Sequence, residues 1–380
     1  MDETSTGLQP FYAMEINALA QALEAEGRTV CHLEVGEPDS PPAPRVREAV
    51  RAVLDHPQRY THFAGQLQLR EKLVQYYARE HRVSVAPESI VVTMGSSSGF
   101  ILAFHGGFTP GATIAVTRPG YPAYVNGLLG MGFGVVEIPV SAASGWHLTA
   151  ADIEAAYRRK PFAGLLLASP ANPTGAALTR EQLREIVAVC ARLGVRFISD
   201  EIYHRLDYRG PSASALELTR DAIVINSFSK YYCMTGWRIG WMVVADDLLR
   251  RTQMLQQNLF ISAPTLSQVA ATAALDERAY YEEQKAHYAA NRRALGDGLR
   301  SLGVSVADGD GAFYAYADVG RWTNDSLGFC RQMLEEAGVA ATPGIDFDRS
   351  NGSRFVRFSY AGSRETIDRA LERMAGFLRR

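Results

Sequence analysis

Cysteine, net charge and long apolar runs are all scarce in this sequence of 380 residues. The four cysteines are widely separated, and they are Cys31, Cys190, Cys233 and Cys330. No pair of them has the spacing of a zinc site, so we expect no metal centre. Sparse, scattered cysteines are typical of a protein from a reducing compartment.

The charge balance and the start of the chain exclude several classes of partner. The formal net charge of -2 argues against nucleic acid or an anionic membrane, because both require a basic excess. No apolar run approaches the length of a membrane span. Residues 1–5 are acidic and polar, unlike a secretory signal. The sequence therefore predicts a soluble cytoplasmic protein that binds neither nucleic acid nor membranes.

The middle of the chain has a repeated strand–helix pattern. Its hydrophobic fraction of 47% is that of an ordinary globular protein. Short apolar runs predict seven strands, at residues 90–93, 113–116, 134–138, 163–168, 195–199, 222–226 and 239–244. Continuous apolar strands separated by helices are typical of a mostly parallel sheet covered on both faces. We therefore predict an α/β fold in which helices sandwich a mostly parallel, seven-stranded sheet.

The two ends of the chain have a different pattern. A long helical region is predicted over residues 247–302, with a break near Pro264. Three short strands and two helices follow, and with the N-terminal residues they predict a smaller α+β domain. We therefore divide the chain into three parts, which are an N-terminal arm that joins the small domain (1–45), a large domain (46–290) and a small C-terminal domain (291–380).

Four polar segments fall at the ends of predicted strands, and they are residues 95–99, 172–175, 200–203 and 227–230. In an open α/β sheet, ligands bind beyond the carboxyl ends of the strands. The topology therefore predicts that these segments converge on one site.

Lys230 is the most unusual residue of these segments, because it follows the apolar strand pattern of residues 222–226. Lysine is almost never fully buried without a partner. Two interpretations are open from this stretch alone. Lys230 is either a surface lysine that has reached solvent, or an amine held in a cleft as a nucleophile.

The other segments also allow two interpretations each. The serines after Gly95 form either an anion site at a helix N-terminus or a plain N-cap. Asn172 either presents its amide at a strand end or belongs to a loop turn. Asp200 either pairs with a ligand or caps a helix, and Tyr203 either faces the same ligand or lies on the surface.

Two arginines indicate anions. Ser227, Ser229 and Arg238 lie close to Lys230 in the sequence, which suggests a bound phosphate. Arg357 lies in an apolar strand pattern and must pair with an anion. That anion is either a structural acid or a ligand carboxylate, which would use both arms of the guanidinium better.

In their order and spacing, these segments resemble the class I aminotransferases of pyridoxal-phosphate fold type I. The resemblance rests on residues 172–175 (Asn-Pro-Thr-Gly), 200–203 (Asp-Glu-Ile-Tyr), 227–230 (Ser-Phe-Ser-Lys) and 236–238 (Gly-Trp-Arg). It runs from about Leu33 to the C-terminal helix. It implies an enzyme that uses pyridoxal phosphate to move an amino group from an α-amino acid to a 2-oxo acid, by a ping-pong mechanism through pyridoxamine phosphate.

The resemblance also implies roles for single residues. Lys230 would hold the cofactor as a Schiff base and later move the proton at the substrate Cα, with Asp200 paired to the pyridinium nitrogen. Asn172 and Tyr203 would bind the ring oxygen, and Tyr121 would stack on the ring or simply pack in the core. The predicted catalytic residues are Lys230, Asp200 and Tyr203. The predicted phosphate-binding residues are Ser96, Ser97, Ser227 and Arg238.

The substrate and the oligomer are implied in the same way. Arg357 would bind the substrate α-carboxylate, with Gly36 and Asn172 nearby. Tyr60 resembles the tyrosine that reaches the phosphate across a dimer interface, which implies a homodimer. Ser97 stands where some relatives carry a lysine that helps hold a second carboxylate, so a preference for aspartate or glutamate does not follow. Residues 311–314 resemble a segment near the side-chain pocket, although its aromatic residues equally suit a core.

Two alternatives use the same scaffold. A pyridoxal-phosphate-dependent C–S β-lyase would share every residue named above, because both reactions begin with the same activation of the substrate Cα. The effector domain of a pyridoxal-phosphate-responsive transcription regulator would follow a DNA-binding domain. We expect no such domain here, because the N-terminal arm is short and the net charge is not basic.

Overall fold

The structure, a computed structural model, describes residues 7–379. The helices over these residues are α1 (Tyr12–Ala25), α2 (Pro44–Arg51), α3 (Leu67–His81), α4 (Gly95–Gly107), α5 (Pro122–Gly130), α6 (Ala150–Arg159), α7 (Arg180–Leu193), α8 (Asp246–Leu259), α9 (Thr265–Ala274), α10 (Arg278–Ser301), α11 (Ser326–Ala337) and α12 (Arg364–Phe377). None of these described helices is both long enough and apolar enough to cross a membrane.

The strands are β1 (Cys31–His32), β2 (Ile90–Thr93), β3 (Thr113–Arg118), β4 (Gly134–Pro139), β5 (Gly164–Ala168), β6 (Arg196–Asp200), β7 (Ile223–Ser227), β8 (Gly240–Val243), β9 (Ser305–Val306), β10 (Tyr314–Asp318), β11 (Val339–Ala340), β12 (Thr342–Pro343) and β13 (Phe355–Ser359). Seven of them form the large sheet in the order β2-β8-β7-β6-β5-β3-β4. All its pairs are parallel except those of β8, which runs antiparallel to both β2 and β7. The predicted α/β fold with a mostly parallel, seven-stranded sheet is therefore confirmed.

Helices cover both faces of this sheet. Successive strand residues point to opposite sides, so each strand contributes to two apolar layers. In β7, Ile223 and Ile225 belong to an apolar layer that includes Leu102 of α4. Val224, between them, belongs to a second layer that includes Ile186 of α7. Burial on both faces explains why the strands have continuous apolar sequences rather than alternating ones.

Helix α7 illustrates how local sequence fixes an element. Thr179 Oγ1 accepts a hydrogen bond of 3.2 Å from the Gln182 amide, and Gln182 Oε1 accepts one of 2.8 Å from the Thr179 amide. Gly194 ends the helix in the left-handed conformation, at φ +68. Such a capping box satisfies two of the amides that a helix start leaves unpaired.

The two ends of the chain meet beside the large sheet. Strand β1 pairs in parallel with β11, so the N-terminal segment contacts the C-terminal one. The C-terminal segment forms a four-stranded sheet in the order β12-β13-β10-β9. The predicted limit at residue 290 falls inside the continuous helix α10, and the domain limits stay predictions.

The helical region after residue 246 has one more break than the sequence predicts. Residues 260–264 separate α8 from α9, which is the break expected near Pro264. Residues 275–277 separate α9 from α10 and contain neither proline nor glycine. Without either of these residues, the sequence carries no strong signal for a helix end.

Candidate active site

A cleft of about 620 Å³ lies beyond the carboxyl ends of β5, β6 and β7. All four polar segments that were predicted to converge contribute side chains to it. These side chains are Ser96, Ser97, Asn172, Asp200, Tyr203, Ser229 and Lys230. Gly36, Tyr121, Arg238 and Arg357 line the same cleft.

The Lys230 amine lies inside this cleft and donates a hydrogen bond of 2.7 Å to the carbonyl oxygen of Gly36. Burial lowers the pKa of Lys230 to about 8. Glu37 opposes this change, whereas the positive charges of Arg357 and Arg238 add to it. The amine therefore loses its proton much more readily than an ordinary lysine does, as a nucleophile or proton acceptor requires.

Asp200 is the last residue of β6 and is only 3% exposed. Its Oδ1 accepts a hydrogen bond of 3.1 Å from the Ile202 amide, and its Oδ2 accepts one from the Tyr124 hydroxyl. Burial raises the pKa of Asp200 to about 6, and both hydrogen bonds oppose this change. No helix follows Asp200, because residues 202–205 form turns, so this carboxylate is not a helix cap.

Two tyrosines of the cleft were not predicted as site residues. Tyr124 lies on α5, three residues after Tyr121, and reaches Asp200. The hydroxyl of Tyr314, on β10, lies 2.7 Å from that of Tyr203. The i, i+3 spacing of Tyr121 and Tyr124 was the available signal for Tyr124. For Tyr314, the similarity of residues 311–314 to a pocket segment was the only indication.

Gly36 is needed where it lies, because its backbone passes close to Tyr314. A Cβ atom added at Gly36 would lie 1.9 Å from the Tyr314 hydroxyl oxygen. Any side chain at this position would therefore displace Tyr314, which contacts Tyr203, or move the carbonyl group that accepts from Lys230.

Arg357 is 2% exposed, and its described hydrogen bonds go to neutral oxygens. Nη1 donates to Asn172 Oδ1 over 2.9 Å, and Nη2 donates to Thr342 Oγ1 over 3.1 Å and to the Glu34 carbonyl oxygen. Nε has no hydrogen-bond partner among the described residues. The guanidinium also lies 4.4 Å from the ring centroid of Tyr314. A buried cation that forms no ion pair with a described acid suits an anionic ligand group.

The start of α4 and the loop after β7 bring together groups that suit an anion. Arg238 Nη2 lies 3.5 Å from Ser97 Oγ at the N-terminus of α4. Gly95 has φ +70, and a Cβ atom there would lie 2.6 Å from Arg238 Nη2. Free helix amides, hydroxyl groups and a guanidinium are the groups that bind phosphate in proteins.

Two predicted residues lie outside the cleft of this chain. Ser227 is buried, and its hydroxyl contacts Ser229 Oγ over 2.8 Å and the Ile239 carbonyl oxygen over 3.1 Å. Ser229, and not Ser227, lines the cleft. Tyr60 is 81% exposed and does not line the cleft either. Tyr121 does line it, and packs edge to face with Phe11 at 6.0 Å.

The comparison with known families decides what this cleft is. The family described as aminotransferase class I and II matches residues 28–374, nearly the whole chain. The chain belongs to this aminotransferase family. The aminotransferase uses pyridoxal phosphate as its cofactor, and its reaction is transfer of an amino group from an amino acid to a 2-oxo acid. The function and cofactor predicted from the sequence are therefore confirmed.

Individual known proteins resemble this chain over nearly their full length. A valine–pyruvate aminotransferase of Mycobacterium tuberculosis is 43% identical over 381 residues, covering 98% of this chain and 97% of the relative. A (5-formylfuran-3-yl)methyl phosphate transaminase of Methanocaldococcus jannaschii is 37% identical, covering 97% of each. The crystal structure of an aminotransferase from Mycobacterium tuberculosis has a TM-score of 0.96 and 41% identity, covering 100% of this chain and 99% of that one.

The residues of the cleft fit the cofactor. An amine of lowered pKa, a buried carboxylate and an anion site match the aldehyde, the ring nitrogen and the phosphate of pyridoxal phosphate. Neither the structure nor the relatives favour the C–S β-lyase alternative.

Proposed function

We propose that this aminotransferase takes its amino group from an α-amino acid with an apolar side chain and passes it to a small 2-oxo acid such as pyruvate. One observation carries the proposal. Among the described residues, the cleft has a single buried arginine that forms no ion pair, Arg357, and the wall contributed by the N-terminal segment is apolar, consisting of Phe11, Ala13 and Met14. The similarity to a valine–pyruvate aminotransferase supports the same substrate class.

Arg357 would bind the substrate α-carboxylate. Its Nη1 is already held by Asn172 Oδ1, and its guanidinium lies between the rings of Tyr314 and Phe347, at 4.4 and 4.9 Å from the centroids. A guanidinium whose plane is fixed before the ligand arrives loses little entropy on binding. Nε has no hydrogen-bond partner among the described residues, and it would donate a hydrogen bond to the second oxygen of the same α-carboxylate.

The charges of the cleft argue against a dicarboxylate substrate. Among residues 7–379, the cationic side chains that line the cleft are Lys230, Arg238 and Arg357. Their proposed partners are the cofactor aldehyde, the cofactor phosphate and the substrate α-carboxylate. None of these described cations is left for a second carboxylate, and Ser97 provides only a hydroxyl group.

The remaining residues would hold the cofactor and move one proton. When bound, pyridoxal phosphate supplies an electron sink that makes the Cα hydrogen of the substrate acidic. Lys230 would hold the cofactor covalently and, once released, would take the proton from the substrate Cα and deliver it to the cofactor carbon that receives the amino group, for which a pKa of about 8 is well suited. Asp200 would pair with the ring nitrogen, and Tyr203 and Asn172 would bind the ring oxygen. The phosphate would be held by Ser96, Ser97 and Arg238, with Ser227 acting through Ser229.

Tyr121 would stack on the cofactor ring, and Gly36 would lie beside the substrate carboxylate. Tyr121 lines the cleft and packs against Tyr124 at 5.3 Å, so its ring is held in place. The Gly36 carbonyl group already contacts Lys230.

We also propose that the enzyme is a homodimer in which Tyr60 reaches the phosphate of the partner subunit. Tyr60 is 81% exposed. The Thr265 hydroxyl donates a hydrogen bond of 2.7 Å to the Arg59 carbonyl oxygen, so Tyr60 lies beside the start of α9, and Ile261, in the segment before α9, is also exposed. Exposed tyrosine and apolar side chains suit an interface. The other partners would be small molecules, and the four free cysteines support a cytoplasmic location.

A panel of amino donors tests the substrate class. Purified holoenzyme is given each amino acid with pyruvate, oxaloacetate or 2-oxoglutarate, and product formation is measured. We expect apolar donors such as valine to react with pyruvate, and aspartate and glutamate to be poor donors. A clear preference for aspartate or glutamate would contradict the proposal. Release of pyruvate and ammonia from a cysteine conjugate without any acceptor would instead indicate the lyase reaction.

A further inference from the structure

The N-terminus of α1 is held by a buried carboxylate from the far end of the chain. Asp346 Oδ1 accepts a hydrogen bond of 3.0 Å from the Tyr12 amide, and Oδ2 accepts one of 3.0 Å from the Ala13 amide. The Phe11 residue that precedes the helix makes no side-chain cap of its own. Asp346 therefore does for α1 what an N-cap residue does in most helices, although it lies 333 residues away from Ala13.

The backbone that Asp346 holds is also a wall of the active site. Phe11, Ala13 and Met14 line the cleft, on both sides of the amide of Tyr12. A shift of this first turn would move all three apolar side chains together. The hydrogen bonds to Asp346 therefore help to fix the position of this wall.

The segment that carries Asp346 also contacts the proposed carboxylate-binding group. Thr342 Oγ1 accepts a hydrogen bond from Arg357, and the Phe347 ring lies 4.9 Å from its guanidinium. Residues 342–347 thus contact Arg357 through Thr342 and Phe347, and α1 through Asp346. One short segment fixes the distance between the group that would bind the substrate α-carboxylate and the wall that would contact the substrate side chain.

We infer that Asp346 is a positioning residue for substrate selection, which fixes the first turn of α1 so that its apolar wall contacts a branched or long substrate side chain. The inference rests on the proposed use of apolar donors. Burial raises the pKa of Asp346 to about 6, opposed by the two amides and by Arg357, so the carboxylate is mainly ionised at neutral pH. An ionised carboxylate accepts both hydrogen bonds at once, which a protonated acid or an amide does less well.

The variant Asp346→Asn separates this role from a merely structural one. Its side-chain amide has one acceptor oxygen, so one of the two hydrogen bonds to α1 is lost. We expect the KM for valine to rise about three- to tenfold, in line with the loss of a helix cap, and the kcat to change less than about twofold. The KM for alanine should change much less, because a methyl group has less apolar surface to bury against the wall than the valine side chain has.

Asp325→Asn is the matched control. Asp325 caps α11 in the same C-terminal part of the chain, accepting a hydrogen bond of 3.0 Å from the Gly328 amide, and it does not line the cleft. It should leave both KM values unchanged. If Asp346→Asn does not fold, Asp346→Ser keeps one acceptor with a smaller side chain, and it should give the same selective rise.

The outcomes distinguish this inference from the proposed function. An equal change for valine and alanine, or no change for either in a folded variant with bound cofactor, would overturn the role of Asp346. Wild-type enzyme that does not accept valine or another apolar donor would overturn the proposed substrate class instead. The absorbance of bound cofactor and the melting temperature are recorded for each variant, so that unfolding is recognised.

Discussion

Tyr124 illustrates how one hydroxyl group tunes the chemistry of a neighbour. Its hydrogen bond lowers the pKa of Asp200, against burial, which raises that pKa to about 6. In Tyr124→Phe this opposition is lost, so the pKa of Asp200 rises and the carboxylate becomes protonated at a higher pH. Because only the ionised form would hold the proton of the cofactor ring, we expect the acidic limb of the kcat/KM profile to move to higher pH.

The profile is measured beside that of Tyr157→Phe. Tyr157 lies on α6, and its only described ring partner is Phe162. Its substitution should leave both limbs where they are. An acidic limb that does not move in Tyr124→Phe would indicate that Asp200 does not control activity in this pH range.

Lys230 has a more direct test, because it would form a covalent bond. Lys230→Ala is expected to abolish the covalent cofactor adduct that borohydride reduces to a stable bond. The rate of transamination should fall by roughly 10²- to 10⁴-fold. Lys160→Ala, at an exposed position after α6, is the control and should retain both properties. Mass spectrometry after reduction identifies the modified residue. A cofactor adduct that survives in Lys230→Ala would place the covalent bond elsewhere.

For single residues, the sequence predicted well which residues follow strands and line the cleft. It predicted less well which side chains contact them. Lys230, Asp200 and Asn172 could be placed because parallel strands end at one edge of the sheet. The contact of Tyr124 with Asp200 spans 76 positions and depends on how α5 lies over the sheet, which no local pattern encodes. Ser227 and Ser229 alternate like strand residues, but β7 ends at Ser227, so the alternation does not continue.

The start of α4 gives a prediction about an element. Gly95 combines a left-handed backbone, φ +70, with a close approach to Arg238. In Gly95→Ala the new methyl group would meet the guanidinium, in addition to a backbone cost of roughly 1–2 kcal/mol. We expect cofactor affinity to fall about tenfold or more, because Arg238 and the helix amides would no longer converge on the phosphate.

Gly111→Ala is a close control for the backbone cost. Gly111 has φ +78, and a Cβ atom there has nothing within 4 Å. Both variants should lose thermal stability, but only Gly95→Ala should lose cofactor affinity in a titration of the apoenzyme. Equal cofactor affinity in the two variants would contradict an anion site at this helix.

Elements with a continuous apolar sequence were predicted well, and the exceptions have physical causes. The strands of the large sheet are buried on both faces, so their signal is strong, and β2 agrees with the prediction at both ends. The two-residue strands β9 and β12 were not predicted, because they are too short to have a period of their own. They exist because they pair with β10 and β13, which tertiary contacts decide.

The proposed dimer gives a prediction for the whole molecule. Two variants that we expect to be inactive, Lys230→Ala and Tyr60→Ala, are mixed, unfolded together and refolded with cofactor. If Tyr60 completes the site of the partner subunit, each mixed dimer has one site with both native residues. We expect about a quarter of wild-type activity, because half of a random mixture is mixed dimers and each has one working site. Each variant refolded alone is the control and should stay inactive.

Activity that does not recover on mixing, with dimers confirmed by light scattering, would mean that Tyr60 acts within its own chain or not at all. A monomer in solution would contradict the proposed assembly as well. The pairing of β1 with β11 lies within one chain, so it does not depend on the partner subunit. The mixing experiment therefore tests only the contact of Tyr60 with the partner subunit.

The antiparallel strand β8 has a consequence for how the site keeps its geometry. Because Ser227 of β7 is paired with Gly240 of β8, residues 228–239 leave and re-enter the sheet at one edge. Lys230 and Arg238 therefore belong to one short loop, whose closure costs little chain entropy compared with contacts between distant segments. When heat or denaturant separates the ends of the chain, we expect Arg357 and the α1 wall to detach first. The amine and guanidinium should stay together until the large sheet itself unfolds.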